Sequence, residues 1–200
     1  ENYIKEVSFT CLSSPLFSKI SQIKNGPGWG IIANYPDDNI SKLNKLNDLI
    51  ILDGIQDPGN LGNIIRISAA VGIRDIWITK GTSDPYSPKV IRSGCGGQFI
   101  TKFSFFSDLN EILNRNEILK MQVLATVVSQ KSIMLYDKKL DLKKKCAWIF
   151  GTEGKGISPI IIESRKLLSL SIPHLKEVES LNVATAAAVC LFEMKRQRLS

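Results

Sequence analysis

From Leu49 onward the chain alternates short apolar runs with longer stretches of helical periodicity. The runs are Leu49 to Leu52, Ile76 to Thr79, Val123 to Val128, Ala147 to Phe150 and Leu167 to Ile172. They are short, and their apolar side chains do not alternate with polar ones, so each strand is expected to be buried on both faces. That pattern belongs to a parallel sheet covered by helices on either side. Between the runs, Asn60 to Val71 reads as a helix rich in small residues, with Asn60 near its N-cap. Asp108 can cap a short helix carrying Leu109, Ile112 and Leu113. The last helix is the clearest: Asn182 is a good N-cap, and Val183, Ala187, Cys190, Leu191 and Met194 follow at the spacing of one packed face. The expected fold is α/β, a mostly parallel sheet flanked by helices.

Residues 1 to 46 lack this rhythm. Ser13-Ser14-Pro15, Lys24-Asn25-Gly26-Pro27-Gly28 and Pro36-Asp37-Asp38-Asn39 surround one short apolar run, Trp29 to Ala33. Punctuation this dense marks turns and a linker, so residues 1–46 and 47–200 are read as separate parts. The chain does not begin with Met and has no charged leader followed by an apolar core. An excised fragment or a processed product, cytoplasmic rather than secreted, is expected.

Composition narrows the partners. A net charge of +7 on 200 residues favours an acidic partner, nucleic acid first. The 4 cysteines, Cys11, Cys95, Cys146 and Cys190, form no C-x-x-C pair and share the chain with a single histidine, so no metal site is expected. They read as reduced and mostly structural. No apolar run approaches the ~18 residues of a membrane span. The basic runs Lys138-Lys139 and Lys143-Lys144-Lys145 read as a solvated face before a phosphate contact. Lys195-Arg196-Gln197-Arg198 reads as cations complementing a helix C-terminus before an RNA contact.

Three loops at strand ends carry the candidate chemistry, because in open α/β sheets ligands bind beyond the carboxyl ends of the strands. Asp57-Pro58-Gly59-Asn60-Leu61-Gly62-Asn63 follows the first run and opens the helix bearing Arg66, almost two turns beyond Asn60. From there the long Arg66 side chain can fold back toward the strand ends. Taken alone, Asn60 is as well explained by capping and Arg66 by a surface ion pair. Gly151-Thr152-Glu153-Gly154-Lys155-Gly156 lets backbone approach a ligand closely. It is not a Walker loop, which would need glycine at Ile149, and its glycine gaps are not those of a dinucleotide fingerprint. Glu153 can hold an arginine or simply line a charged turn. In the third loop Pro173 ends the strand, and Ser180 and Asn182 flank apolar Leu181, a mixture suited to a flat heterocycle with a polar tail.

Together these segments resemble the signature motifs of the SPOUT-class RNA ribose 2'-O-methyltransferases, the SpoU or TrmH family. The first motif is similar to Asp57 through Arg66, the second to Ile149 through Ser158, and the third to Ser171-Ile172-Pro173 through Ser180-Leu181-Asn182-Val183-Ala184. Arg92-Ser93-Gly94-Cys95-Gly96-Gly97 resembles a segment typical of its rRNA-acting branches. The resemblance runs from about residue 48 to the end. Residues 1 to about 34 resemble the last part, with closing Gly-rich turn and strand, of the L30e-like substrate-binding domain that often precedes this catalytic domain. His174 stands where the family usually has Met, and Lys176 where it has Gly.

The resemblance implies a deep C-terminal trefoil knot, S-adenosylmethionine as methyl donor, a homodimer whose site borrows residues across the interface, and an RNA substrate, rRNA before tRNA. By position it places the cofactor on Gly151, Ile172 and Leu181, with Thr126 at the end of the third run, and Pro173 and Gly156 beside them. It gives Arg66 the acceptor ribose or its phosphate, with Asn60, Glu153, Ser180 and Asn182 shaping the surroundings. A non-catalytic RNA-binding or ribosome-assembly protein on the same fold is the alternative. A base-directed methyltransferase is disfavoured by the Asn60 and Arg66 pair.

Overall fold

The computed structural model describes residues 8–21, 26–34, 47–127, 132–152, 156–157, 167–175 and 177–199. The chain divides into two compact units, Glu1–Pro36 and Asp37–Ser200. In the smaller, one short helix, α1 (Ser14–Ile20), begins with Pro15 in its first turn and buries none of its residues. No strand forms over residues 26–34, where the resemblance implied one, and the side chains of Trp29, Ile31 and Ile32 are exposed.

The larger unit is built on β1 (Leu49–Leu52), α2 (Pro58–Val71), β2 (Asp75–Thr79), α3 (Pro88–Gly94), β3 (Lys102–Phe106), α4 (Leu109–Leu113), β4 (Gln122–Thr126), β5 (Ile133–Met134), β6 (Cys146–Phe150), β7 (Leu168–Ser171) and α5 (Val183–Leu199). The strands form one sheet in the order β3-β2-β1-β6-β4-β7-β5. Every pairing in it is parallel. The unbroken apolar runs have the cause the sequence suggested, since both faces are covered. Ile50, Leu52, Ile76, Trp148 and Phe150 pack with Leu61, Ile64 and Ile65 of α2 and Ala187, Cys190, Leu191 and Met194 of α5. Leu49, Ile51, Trp77, Ala147 and Ile149 face the other way, toward Leu109, Ile112 and Leu113 of α4.

Helix ends follow side-chain chemistry. Asp108 caps α4 by accepting from the Glu111 amide at 2.9 Å. Asp57, not Asn60, caps α2: its carboxylate accepts from the Asn60 amide at 2.8 Å, and Pro58 takes the first turn, where a missing N–H costs nothing. Asn182 begins α5, its carbonyl oxygen accepting from the amides of Ala184 at 3.0 Å and Thr185 at 3.2 Å.

The basic tail of α5 is tied into the fold. Arg196 pairs with Glu193 through two bonds of 2.8 Å. Arg198 grips the Asp48 carboxylate and donates to the carbonyls of Leu142 and Lys144 at 2.9 and 2.7 Å. Lys195 reaches the Val71 carbonyl at 3.4 Å. These cations satisfy carbonyls and carboxylates of their own domain. The knot implied by the resemblance depends on the path of residues 153–155 and 158–166, which lie outside the described residues. Among the described residues no helix is long and apolar enough to cross a membrane, and no group of His, Cys, Asp and Glu could hold a metal ion.

Candidate active site

The strand order places the motif loops side by side. Strands β1, β2 and β3 run outward in one direction from the middle of the sheet, and β6, β4, β7 and β5 in the other, so order reverses between β1 and β6. Such a switch point opens a crevice at the carboxyl ends of the strands. The first motif leaves β1, the second leaves β6, Thr126 ends β4, and the third motif leaves β7. Register fixes their level. Leu52 pairs with Phe150, Ala125 with Ile149, and Thr126 with Leu170, so Gly151, Thr126 and Ile172 all stand at one rim.

One bond joins the ends of this row. The Asn182 side-chain amide donates to the Asn60 carbonyl oxygen at 2.9 Å, across 122 residues of sequence. Because Asp57 supplies the α2 cap, the capping reading of Asn60 is corrected: its side chain serves the link between motifs. Asn182 does both jobs, capping α5 with its oxygen and holding Asn60 with its nitrogen.

The second loop closes on itself tightly. Thr152 and Gly156 form an antiparallel bridge, with the Gly156 amide donating to the Thr152 carbonyl at 2.9 Å. A Cβ on Gly151 would sit 2.7 Å from the Gly156 carbonyl carbon, so only glycine fits there. Glu153 and Lys176 lie outside the described residues. In the third loop Ile172 is half-buried against the core, Leu181 is half-buried, and Pro173 and Ser180 are exposed. His174 is half-buried, its Nδ1 lying 2.6 Å from the Ile172 carbonyl oxygen.

Arg66 is exposed on α2, and the contact it makes is with a residue sequence reasoning had not placed: its Nη1 donates to Cys95 Sγ at 3.5 Å. Cys95 caps the C-terminus of α3 in a left-handed conformation, φ 46°, and its thiol donates to the Arg92 carbonyl at 3.5 Å. A non-glycine residue held there is strained, and surrounding packing must impose it. The packing is visible: a Cβ on Gly62 would lie 1.8 Å from Ser93 Oγ, so α2 and α3 touch backbone to side chain, and the Ser93 hydroxyl reaches the Pro58 carbonyl at 3.2 Å. The segment Arg92 to Gly97 thus braces the first motif. Its glycines were the available signal, but a sequence separation of 29 between Arg66 and Cys95 hid the contact.

Known proteins resemble this chain in sequence and in fold. An uncharacterized tRNA/rRNA methyltransferase of Synechocystis is 38% identical over 74% of this chain and 53% of its own length. A 23S rRNA (guanosine-2'-O-)-methyltransferase, RlmB, of Coxiella burnetii is 32% identical over 75% of this chain and 58% of its own. The chain therefore spans little more than half the length of these relatives. Among solved structures, an AdoMet-bound rRNA methyltransferase from Sinorhizobium meliloti superposes with a TM-score of 0.68 at 29% identity, over 77% of this chain and 57% of that one. Residues 48–192 match the model of the SpoU rRNA Methylase family, and the chain belongs to that family.

Proposed function

We propose that this chain transfers a methyl group from S-adenosylmethionine to the ribose 2'-hydroxyl of a structured RNA, with rRNA ahead of tRNA. The observation that carries this reading is the Asn182 to Asn60 bond at the switch point of the sheet, which unites the first and third motifs beside Gly151. The names of the relatives point to rRNA. The homodimer and the knot go with the same reading.

The rim has the donor set this cofactor needs. Backbone at Gly151 and Gly156 can approach an adenine edge, while half-buried Ile172 and Leu181 cover its faces, with Thr126 and Pro173 at the margin. When bound, the cofactor supplies an electrophilic methyl on a cationic sulfonium. Transfer neutralises that charge and breaks the ribose O–H bond, so the protein has to align the acceptor and help one proton leave. A guanidinium holds its proton too firmly to serve as a base. Arg66, steadied by Cys95, therefore holds the RNA phosphate and orients the hydroxyl, and the proton passes to that phosphate or to water. Asn60, Asn182 and Ser180 shape the acceptor side, and Glu153 is assigned there from its motif position.

The test is incubation of the chain with labelled methyl donor and total rRNA or tRNA, followed by alkaline hydrolysis. A 2'-O-methyl ribose cannot attack its own phosphate, so modified sites survive as alkali-resistant linkages. Arg66→Ala should cut turnover by roughly 10²-fold or more, as for loss of one preorganised donor. No ribose label in either RNA pool, with cofactor bound, would overturn the function.

A further inference from the structure

We infer that Phe99 is a stacking platform for an unpaired base of the RNA beside the acceptor nucleotide, an inference that rests on the RNA reading above. Phe99 follows the bracing segment in a 3-10 turn, Gly97–Phe99, and its side chain is left 93% exposed. A large aromatic ring held this far out of a folded domain, next in the chain to Ile100, itself 51% exposed, has a recognition surface as its natural use. The ring is not on a loose tether. The Phe99 amide donates to the Gly96 carbonyl at 3.1 Å, and the amides of Ile100 and Thr101 both donate to the Gly97 carbonyl at 3.0 Å.

Its position is next to Arg66. A Cβ on Gly97 would lie 3.3 Å from Arg66 Cα, and one on Gly96 would lie 3.8 Å from the Phe99 ring. The path from Arg66 through its bond to Cys95, then Gly96, to the ring is thus continuous. Charge decides the occupant. Lys89 and Arg92 are exposed three residues apart on α3, the helix that leads into this turn, and Arg66 lies beside Gly97. An exposed aromatic face with exposed cations on the preceding helix fits single-stranded RNA, whose bases can splay out and stack while its backbone is neutralised. A second copy seated on this face would bring Lys89 and Arg92 toward like charges.

The experiment uses the full chain and a hairpin RNA with 2-aminopurine in its unpaired loop, read by anisotropy and by base fluorescence. Phe99→Ala should weaken binding by about 5- to 100-fold and abolish the quenching that stacking causes, while Phe99→Trp preserves both. Phe99→Leu, which keeps apolar area without a π-face, should behave like the alanine variant. Lys89→Ala with Arg92→Ala should lower affinity and flatten its salt dependence, leaving quenching at saturation intact. Unchanged affinity and quenching in Phe99→Ala would overturn the platform, as would a change confined to oligomeric state in sedimentation. Cofactor-dependent ribose labelling by the wild type separates the two readings: if labelling is absent, the function fails even where stacking is seen.

Discussion

Asn182 holds two roles on two atoms, and substitution can separate them. Its oxygen accepts from the amides of Ala184 and Thr185 at 3.0 and 3.2 Å, while its nitrogen donates to Asn60 at 2.9 Å. Asn182→Ser keeps a capping oxygen as effective as the original but is too short to reach Asn60. It should lose only the bridge, a net ~0.5–1.5 kcal/mol. If that energy positions the first motif against the third, kcat/KM falls by about 2- to 13-fold. Asn182→Ala loses the cap as well, a further ~1 kcal/mol, and melts about 2–4 °C below the serine variant. Activity should therefore follow the bridge, equal in the two variants, while stability follows the cap. Methyl transfer to RNA and thermal denaturation on the same preparations measure both. Adding Asn60→Ala to Asn182→Ser should cost little more activity, because the shared interaction is already gone. Full activity in Asn182→Ser, or additive losses in the double variant, would refute the bridge as a positioning element.

Gly151→Ala would drive a methyl group into the Gly156 backbone at 2.7 Å, and should cost about 1–3 kcal/mol of stability and raise the Kd for S-adenosylmethionine at least about tenfold by calorimetry. An unchanged Kd would remove Gly151 from the cofactor pocket. Hydrogen bonds from Arg196 hold the Glu193 carboxyl below its ordinary value, so its contribution to stability is complete above a glutamate's usual pKa of about 4.3 and is lost as pH falls through the lowered value. The stability gap between wild type and Glu193→Gln, from urea titrations, should close in acid; a gap constant from neutral pH to about pH 3 would contradict that linkage. Burial pushes the Cys146 and Cys190 thiols up to about 12, so iodoacetamide near neutral pH should label Cys11 and Cys95 in the native protein and all 4 cysteines only after denaturation, as mass spectrometry would report.

The sheet was legible where burial on both faces made runs continuous. Strand β1 matches its run to the residue, and β2, β4, β6 and β7 differ from theirs by a residue or two at the ends. Strand β3 escaped notice because Lys102 and Ser104 break its apolar pattern at the edge of the sheet, and β5 has only 2 residues. Helix α3 has Pro at its start and Gly at its end within 7 residues, which reads as loop. The start of α2 was placed late, at Asn60, although Asp57 followed by Pro58 is itself a helix-start signal. The site divided along the same line. Motif residues could be named from the loop sequences and the family resemblance they carry, whereas Cys95 against Arg66, Ser93 against Gly62 and Asn182 on Asn60 are tertiary contacts that no local pattern encodes.

The middle position of β6 in the sheet has a consequence for synthesis. Its residues, 146–150, lie between β1 and β4 in space yet follow both in the chain. A nascent chain ending before Cys146 has the β1-β2-β3 half on one side and β4 on the other, with no strand to join them and two apolar edges open to neighbouring chains. The strand that joins the two halves leaves the ribosome only after residue 150, so chains terminated before Cys146 should expose sheet edges and be substrates for chaperones and proteases.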